Sequence, residues 1–207
     1  SFQKHIFVIL ALFGLSYLCL VSGCARPKEY EASAEEPFSE TAAVYAFSSD
    51  TVRIANWNMH IFGKSKASDE ELMDLYADIM DDYDIIFAQE IRDKSQTAFE
   101  KLCEMFDNHT CTVSSRAGRT NSKEQYGIIC RSGIQITRLI DFNPDPNDRW
   151  ERPPIEVTFD IDGYTLTVYN IHTKPDDVPN EMEYLEDIVR AQGNVMVLGD
   201  LNADCDY

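Results

Sequence analysis

The stretch Asp84-Ile85-Ile86-Phe87-Ala88-Gln89-Glu90 is a short apolar run that ends in an acid, and this pattern recurs along the chain. A continuous apolar run of this length predicts a buried strand. Further strands are predicted at 52–58, 126–131, 135–142, 155–161, 164–172 and 195–198. The strands between 126 and 172 follow one another with little helix between them, which favours antiparallel pairing. The expected fold class is α/β, with mixed sheets covered by helices.

Three helices are predicted between or after these strands. Ser68 and Glu71 have the spacing of a capping box, and the helix after them places apolar residues on one face at Leu72, Leu75, Tyr76, Ile79 and Met80. A second helix is indicated by Ala98, Phe99, Leu102, Cys103 and Phe106. The third covers 181–192 and ends at Gly193, with its inward face at Met182, Leu185, Ile188 and Val189.

Length and charge limit the possible functions. The chain has 207 residues, enough for one ordinary domain or two small ones, and 44% of them are hydrophobic. This composition argues against a wholly disordered protein. The net charge of −18 argues against a protein that coats nucleic acid or anionic membrane by bulk charge. An enzyme that binds phosphate groups at one site, through a few arginines and a metal, remains compatible with this charge.

The N-terminal segment predicts export. Lys4 precedes an apolar run at 6–21, which is shorter than the ~20 residues of a membrane-spanning helix, and Leu20-Val21-Ser22-Gly23-Cys24 resembles the bacterial lipobox. We expect a lipoprotein signal peptide at 1–23, lipidation of Cys24, an acidic flexible tether at 24–50 and the folded domain at 51–207. An uncleaved anchor and ordinary soluble secretion are the alternatives, and all three place the domain outside the cytoplasm, with the lipid anchor adding a membrane partner.

The cysteines beyond the signal are Cys103, Cys111, Cys130 and Cys205. An exported protein can keep disulfides, and Cys103 and Cys111 are close enough in sequence to form one. Cys130 lies in a predicted strand and is expected to be a buried thiol. The spacing contains no zinc motif.

Polar side chains follow several of the predicted strands, at Asn58, Glu90, His172, Asp200 and Asn202. Each alone is an ordinary turn residue, but strand ends that meet at one rim are where α/β folds build sites. Carboxylate and amide oxygens suit Mg²⁺ or Ca²⁺, and a histidine oriented by a carboxylate can transfer protons. Arg92 and Arg152 can hold phosphate oxygens. Together these groups suit phosphodiester hydrolysis.

Several motifs resemble those of the endonuclease/exonuclease/phosphatase superfamily. They are Asn56-Trp57-Asn58-Met59-His60-Ile61-Phe62-Gly63, Gln89-Glu90-Ile91-Arg92-Asp93 and Leu198-Gly199-Asp200-Leu201-Asn202-Ala203-Asp204-Cys205. Two more resemble its deoxyribonuclease I-like members: the loop from Ser114 to Tyr126, which contains Arg119 and Glu124, and Asn170-Ile171-His172-Thr173-Lys174-Pro175. The resemblance covers about 52–207.

The resemblance implies a role for each matched residue. Glu90 would bind a catalytic Mg²⁺ or Mn²⁺, with Asn58 beside it, and Ca²⁺ is a candidate structural ion. Glu124 would orient His172, the general acid or base, while Asp200 and Asn202 would contact the phosphate or a second metal. Arg92, Arg119 and Arg152 resemble DNA-contacting arginines. The implied fold is a four-layer α/β sandwich of two packed sheets flanked by helices.

The resemblance also implies a second catalytic histidine, in a Ser-Asp-His segment that does not occur up to Tyr207. We therefore expect a C-terminally truncated chain that lacks the last strands of one sheet and is weak or inactive alone. The function expected of the complete protein is a secreted or surface-anchored, metal-dependent DNA endonuclease with no protein partner. Another phosphoesterase acting on lipid or sugar phosphate, and a non-catalytic surface lipoprotein, are the alternatives.

Overall fold

The computed structural model describes residues 5–8, 51–190 and 192–203, with the backbone alone described for 5–8. The predicted lipidation site Cys24, the predicted tether 24–50 and Cys205 lie outside the described residues. No helix in the described ranges is long and apolar enough to span a membrane.

Two sheets form the centre of the fold. In the described part of the chain, the strands of the first sheet are β1 (His5–Val8), β2 (Thr51–Phe62), β3 (Ile85–Ile91), β4 (His109–Val113) and β5 (Gln125–Arg131). Their order is β1-β2-β3-β5-β4, with β1, β2 and β3 parallel and β5 antiparallel to both β3 and β4.

Among the described residues, the strands of the second sheet are β6 (Ile134–Asp141), β7 (Ile155–Ile161), β8 (Tyr164–His172) and β9 (Val195–Asp200). Their order is β6-β7-β8-β9; β7 is antiparallel to both β6 and β8, and β9 runs parallel to β8. The helices of the described part of the chain are α1 (Lys64–Ala67), α2 (Glu70–Met80), α3 (Thr97–Cys103) and α4 (Val178–Ile188).

The strand β3 shows why the chain forms four layers. Its residues Ile85 and Phe87 face the second sheet, where Phe87 meets Phe159 edge to face with ring centroids 5.9 Å apart. The alternate residues Ile86 and Ala88 pack among the apolar side chains of the helix layer. Both faces of β3 are therefore covered, which explains its continuous apolar run.

Helices cover the outer faces of both sheets. Met73 and Tyr76 of α2 and Phe99 of α3 pack on the first sheet, and Leu185 of α4 packs with Ile171 of the second. The molecule is thus a four-layer α/β sandwich, which confirms the predicted fold class.

The prediction for α2 was wrong in two details. Asp69 caps the helix by accepting a hydrogen bond from the Leu72 amide at 3.1 Å, whereas Ser68 donates to the Ser65 carbonyl. Leu75 is 52% exposed and Ile79 37%, because the helix turns a neighbouring stripe inward. That buried stripe consists of Met73, Tyr76 and Met80.

The predicted bounds of α4, 181–192, were wrong at both ends. The helix begins at Val178, with Pro179 in its first turn, and ends at Ile188, before the predicted stop at Gly193. Proline suits a first turn because its missing amide would have no partner there. Val189 is already extended, with φ −68° and ψ 116°, so the helix cannot continue through it.

The cysteines fall into two environments. Cys103, at the end of α3, forms a disulfide with Cys111 of β4, and their Cα atoms are 6.2 Å apart. Cys130 of β5 is a free, buried thiol, as expected from its strand. Burial raises its pKa to about 12, so it remains protonated at physiological pH.

Asp93 organises the turn between β3 and α3. Its carboxylate accepts hydrogen bonds from the Ser95 and Ala98 amides at 3.1 and 3.0 Å and from the hydroxyl of Thr97 at 2.9 Å. Burial acts to raise the pKa of Asp93, but these bonds, together with that from the Ser95 hydroxyl, outweigh it and lower the pKa to about 2.

We expect Asp93→Asn to reduce the loss of stability between about pH 4 and pH 2. An acid whose pKa is lower in the folded state stabilises the fold above its unfolded pKa of 3.8, and that contribution disappears as the pH falls towards 2. Urea unfolding from pH 5 to pH 2 measures the difference between the variant and the wild type. Asp78→Asn, at an exposed position of α2, is the matched control, and parallel curves for wild type and Asp93→Asn would contradict the assignment.

Candidate active site

The carboxyl ends of β2, β3, β8 and β9 meet at one edge of the sandwich. Asn58 of β2 donates a hydrogen bond across the two sheets to Asp200 Oδ2 of β9 at 2.7 Å, and another to Glu90 Oε1 of β3 at 3.2 Å. His172, at the end of β8, pairs in register with Asp200. The strand-end residues predicted from the sequence therefore form one cluster, assembled from both sheets.

Glu90 is buried at the base of this cluster. The Ile61 amide donates to its Oε2 at 2.8 Å, and Arg92 lies 3.2 Å from the same oxygen. Burial acts to raise the pKa of Glu90, but the hydrogen bonds from Asn58 and Ile61 and the charge of Arg92 outweigh it, so the pKa lies below its ordinary value. Glu90 is therefore a carboxylate at neutral pH.

The backbone around Glu90 is strained. His60, Ile61 and Glu90 have φ values of 49°, 60° and 61°, a region that side chains other than glycine rarely adopt and that is most costly for β-branched residues. Lys66 stabilises the loop by donating to the carbonyls of Met59 and His60 at 2.9 and 2.6 Å. This local strain brings the Ile61 amide within reach of the Glu90 carboxylate.

Glu124 and His172 form a buried pair. Glu124 Oε1 lies 2.6 Å from His172 Nδ1, and the Glu124 side chain is only 1% exposed. A carboxylate can only accept, so the geometry assigns the Nδ1 proton to the histidine and leaves Nε2 to exchange protons. Nε2 lies 3.6 Å from Asp200 Oδ2, inside the cluster.

Gly199 allows Asp200 to reach the cluster. Its φ is 147°, and a Cβ at this position would lie 1.8 Å from the carbonyl oxygen of Ile171, so any side chain would push β9 away from β8. After Asp200 the chain turns, and Asn202 donates from its amide to Asp200 Oδ1 at 3.1 Å and from its side chain to the Thr173 carbonyl at 2.8 Å.

The predicted arginines occupy three different environments. Arg92 lies between Glu90 and Glu124, 3.3 Å from Glu124 Oε2. The Arg152 side chain is only 12% exposed and donates to the carbonyls of His172 and Thr173 at 2.8 and 2.7 Å. Arg119 lies in another loop region, where it donates to Asp148 Oδ1 at 3.0 Å and lies 3.8 Å from Glu151.

Sequence reasoning overlooked a polar layer beneath these residues. Tyr126, two residues after Glu124, contacts the backbone of His172 through its hydroxyl at 3.0 Å. Asn56, two residues before Asn58, donates to the Gly199 carbonyl at 3.1 Å and accepts from Gln89 at 2.7 Å. Because side chains two apart share a strand face, the spacing from Glu124 and Asn58 was the available signal.

The donor atoms at the cluster suit a hard cation. Glu90 and Asp200 offer carboxylate oxygens, and both are drawn together by the Asn58 amide. The described residues hold no group of three or more His, Cys, Asp or Glu placed to bind a metal. One or two carboxylates are nevertheless what Mg²⁺ commonly takes from a protein, with water and substrate phosphate completing its shell.

Comparison with known proteins identifies the family. Residues 55–207 match the Endonuclease/Exonuclease/phosphatase family model, and the chain belongs to this family. Its sequence relatives place it among the deoxyribonuclease I-like members. The chain is 28% identical to deoxyribonuclease-1-like 2 of Mus musculus, over 83% of this chain and 68% of that one, and 32% identical to deoxyribonuclease-1 of Rattus norvegicus, over 76% and 62%. It thus spans roughly two thirds of the length of these relatives.

The fold is shared more widely than the sequence. A mannosyl-6-phosphatase of Bacteroides thetaiotaomicron superposes with a TM-score of 0.56 at 17% identity, over 74% of this chain and 66% of that one. At this identity the likeness shows the fold alone.

Proposed function

We propose that the protein is a divalent-metal-dependent endonuclease that hydrolyses phosphodiester bonds of DNA. The observation that carries the proposal is the Glu124–His172 pair set against the oxygens of Glu90, Asn58 and Asp200. The sequence relatives support DNA as the substrate, because they are deoxyribonucleases.

The pair supplies proton transfer. Nε2 of His172 takes a proton from water or gives one to the leaving oxygen, and Glu124 stabilises the imidazolium that forms when the ring is protonated. Arg92 lies between the carboxylates of Glu90 and Glu124, which fixes its guanidinium between the proposed metal-binding residue and the proton-transfer pair.

Glu90 and Asp200, with Asn58 beside them, are the residues that would hold the metal. If bound there, Mg²⁺ or Mn²⁺ would supply electrostatic stabilisation of the charge that develops on the phosphoryl oxygens. Because the pKa of Glu90 lies below its ordinary value, its carboxylate stays available to a cation in mildly acidic as well as neutral solution.

A second candidate, a phosphoesterase for a small sugar or lipid phosphate, is favoured by the environment of two arginines. Asp148 and Glu151 neutralise Arg119, and Arg152 is directed at the backbone. Both had been predicted to contact DNA. A substrate smaller than a duplex needs fewer free cations than DNA does.

Activity assays on three substrates distinguish these functions. The substrates are supercoiled plasmid, a sugar phosphate and a phospholipid, each assayed with Mg²⁺ and with EDTA. We expect nicked plasmid in Mg²⁺ and none in EDTA. Phosphate release from the sugar or lipid substrate without nicking would support the second candidate. No turnover of any substrate by the full-length protein would favour a binding role.

We further propose that the domain acts outside the cytoplasm, held at the membrane through lipidated Cys24. The apolar run at 6–21 and the lipobox-like residues before Cys24 support this location. Cleavage before Cys24 would remove β1, which is the edge strand of the first sheet.

A further inference from the structure

His172 must be held by its backbone as well as by Glu124. The bond to Glu124 fixes the tautomer of the imidazole, but an imidazole carried on a mobile backbone would still move relative to Asp200. The polar groups of the His172 backbone are engaged by two residues from other elements, Tyr126 of β5 and Arg152 of the loop before β7.

These contacts form a closed ring of hydrogen bonds. The His172 amide donates to the Tyr126 hydroxyl at 3.0 Å, and that hydroxyl donates to the Arg152 carbonyl at 3.2 Å. The Arg152 guanidinium completes the ring by donating from Nε to the His172 carbonyl at 2.8 Å. Each of the three residues thus restrains the other two.

We propose that Tyr126 and Arg152 are positioning residues that fix His172 for proton transfer, and that Arg152 acts through this ring rather than through the substrate. Tyr126 lies in the first sheet and His172 in the second, so the ring also ties together the sheets that supply the two halves of the site. Tyr126 is 2% exposed and therefore has no surface with which to contact a substrate directly.

The Tyr126 hydroxyl keeps its proton at all working pH values. Burial raises the pKa of Tyr126 far above its ordinary value. The hydroxyl therefore remains able both to accept from His172 and to donate to Arg152. The Arg152 Nε atom also lies 3.6 Å from Glu124 Oε1, so Arg152 contacts both the carboxylate and the backbone carbonyl that hold His172.

The chain offers a matched control for Tyr126→Phe. Tyr169, in β8, is also buried, at 1% exposure. Its hydroxyl donates to Glu156 Oε2 at 2.7 Å, away from the site. Tyr169→Phe removes the same oxygen atom from a buried hydrogen-bonded ring, so it reports what such a deletion does to the fold alone.

Kinetics and NMR on the full-length chain test the proposal. We expect Tyr126→Phe to lower kcat for plasmid nicking by about 10²-fold, since a displacement near 1 Å is enough for such a loss, with KM unchanged. Tyr169→Phe should keep kcat near the wild-type value. The low-field proton signal of His172 Nδ1, bonded to Glu124, should shift or broaden in Tyr126→Phe and stay in place in Tyr169→Phe.

Arg152→Lys provides the second variant, because it keeps the positive charge but loses the planar donors. We expect kcat to fall with KM unchanged, and the double variant with Tyr126→Phe to lose less than the product of the two single losses. A rise in KM alone would show that Arg152 contacts the substrate and would overturn its assignment. If Tyr126→Phe and Tyr169→Phe had equal effects on kcat and on the proton signal, the assignment of Tyr126 as a positioning residue would be overturned.

The kinetic measurement rests on the proposed function, whereas the NMR measurement needs no substrate. If the wild type cuts no DNA, the proposed function fails. The His172 signal then still decides whether Tyr126 positions the ring.

Discussion

His172→Ala is expected to lower kcat for DNA cleavage by about 10²- to 10⁴-fold, the usual contribution of a positioned acid or base, while DNA still binds. The side chain exchanges protons through Nε2 and does not itself hold phosphate, so its removal should affect turnover more than affinity. Plasmid nicking under single-turnover conditions measures the first quantity, and DNA binding in EDTA measures the second.

Chemical rescue provides the control for this variant. The space left by the buried ring lies beside Glu124, which would orient free imidazole as it orients the histidine. Added imidazole should therefore restore part of the activity of His172→Ala and none of the activity of a metal-site variant. Near-normal nicking by His172→Ala without imidazole would show that the catalytic assignment is wrong.

Glu90→Ala is expected to lower activity by about 10²- to 10³-fold, because a bound metal supplies several kcal/mol of transition-state stabilisation. Excess Mg²⁺ should restore this activity only in part. The substitution also leaves the Ile61 amide without its acceptor and removes one partner of Arg92, so the strained loop relaxes as well.

Glu90→Gln separates these two effects. The amide oxygen can still accept from Ile61, but the charge that attracts the cation is lost. We expect calorimetry to show weakened Mn²⁺ binding in both variants, and the thermal stability of Glu90→Gln to exceed that of Glu90→Ala. Unchanged Mn²⁺ affinity in Glu90→Gln would remove Glu90 from the metal site.

The strand ends were predictable because local pattern and chemistry agreed there. An apolar run followed by Glu90, or by His172, identifies both the strand and the reactive residue, and the edge at which they meet follows from α/β topology. The four layers came from the resemblance to known proteins rather than from any single strand.

Other features could not be predicted because they depend on tertiary packing and on contacts between residues far apart in the sequence. The residues of α2 offer two apolar stripes one position apart, and only packing on the first sheet decides that Met73 and Tyr76 are buried while Leu75 is exposed. Arg152 has the sequence context of a surface cation, but its guanidinium lies against the His172 carbonyl, a contact across 20 residues that no short pattern encodes.

The division of the cluster between two sheets affects when the site exists during synthesis. Asn58 and Asp200 are 142 residues apart, and Asn56 and Gly199 are 143 apart. Contacts of such separation form after local ones, because a long loop must close first. A ribosome delivers Glu90 and Glu124 well before Asp200, so the nascent chain has carboxylates but no complete cluster until β9 has joined β8. Any reactivity of the cluster is therefore withheld until both sheets have been made and packed.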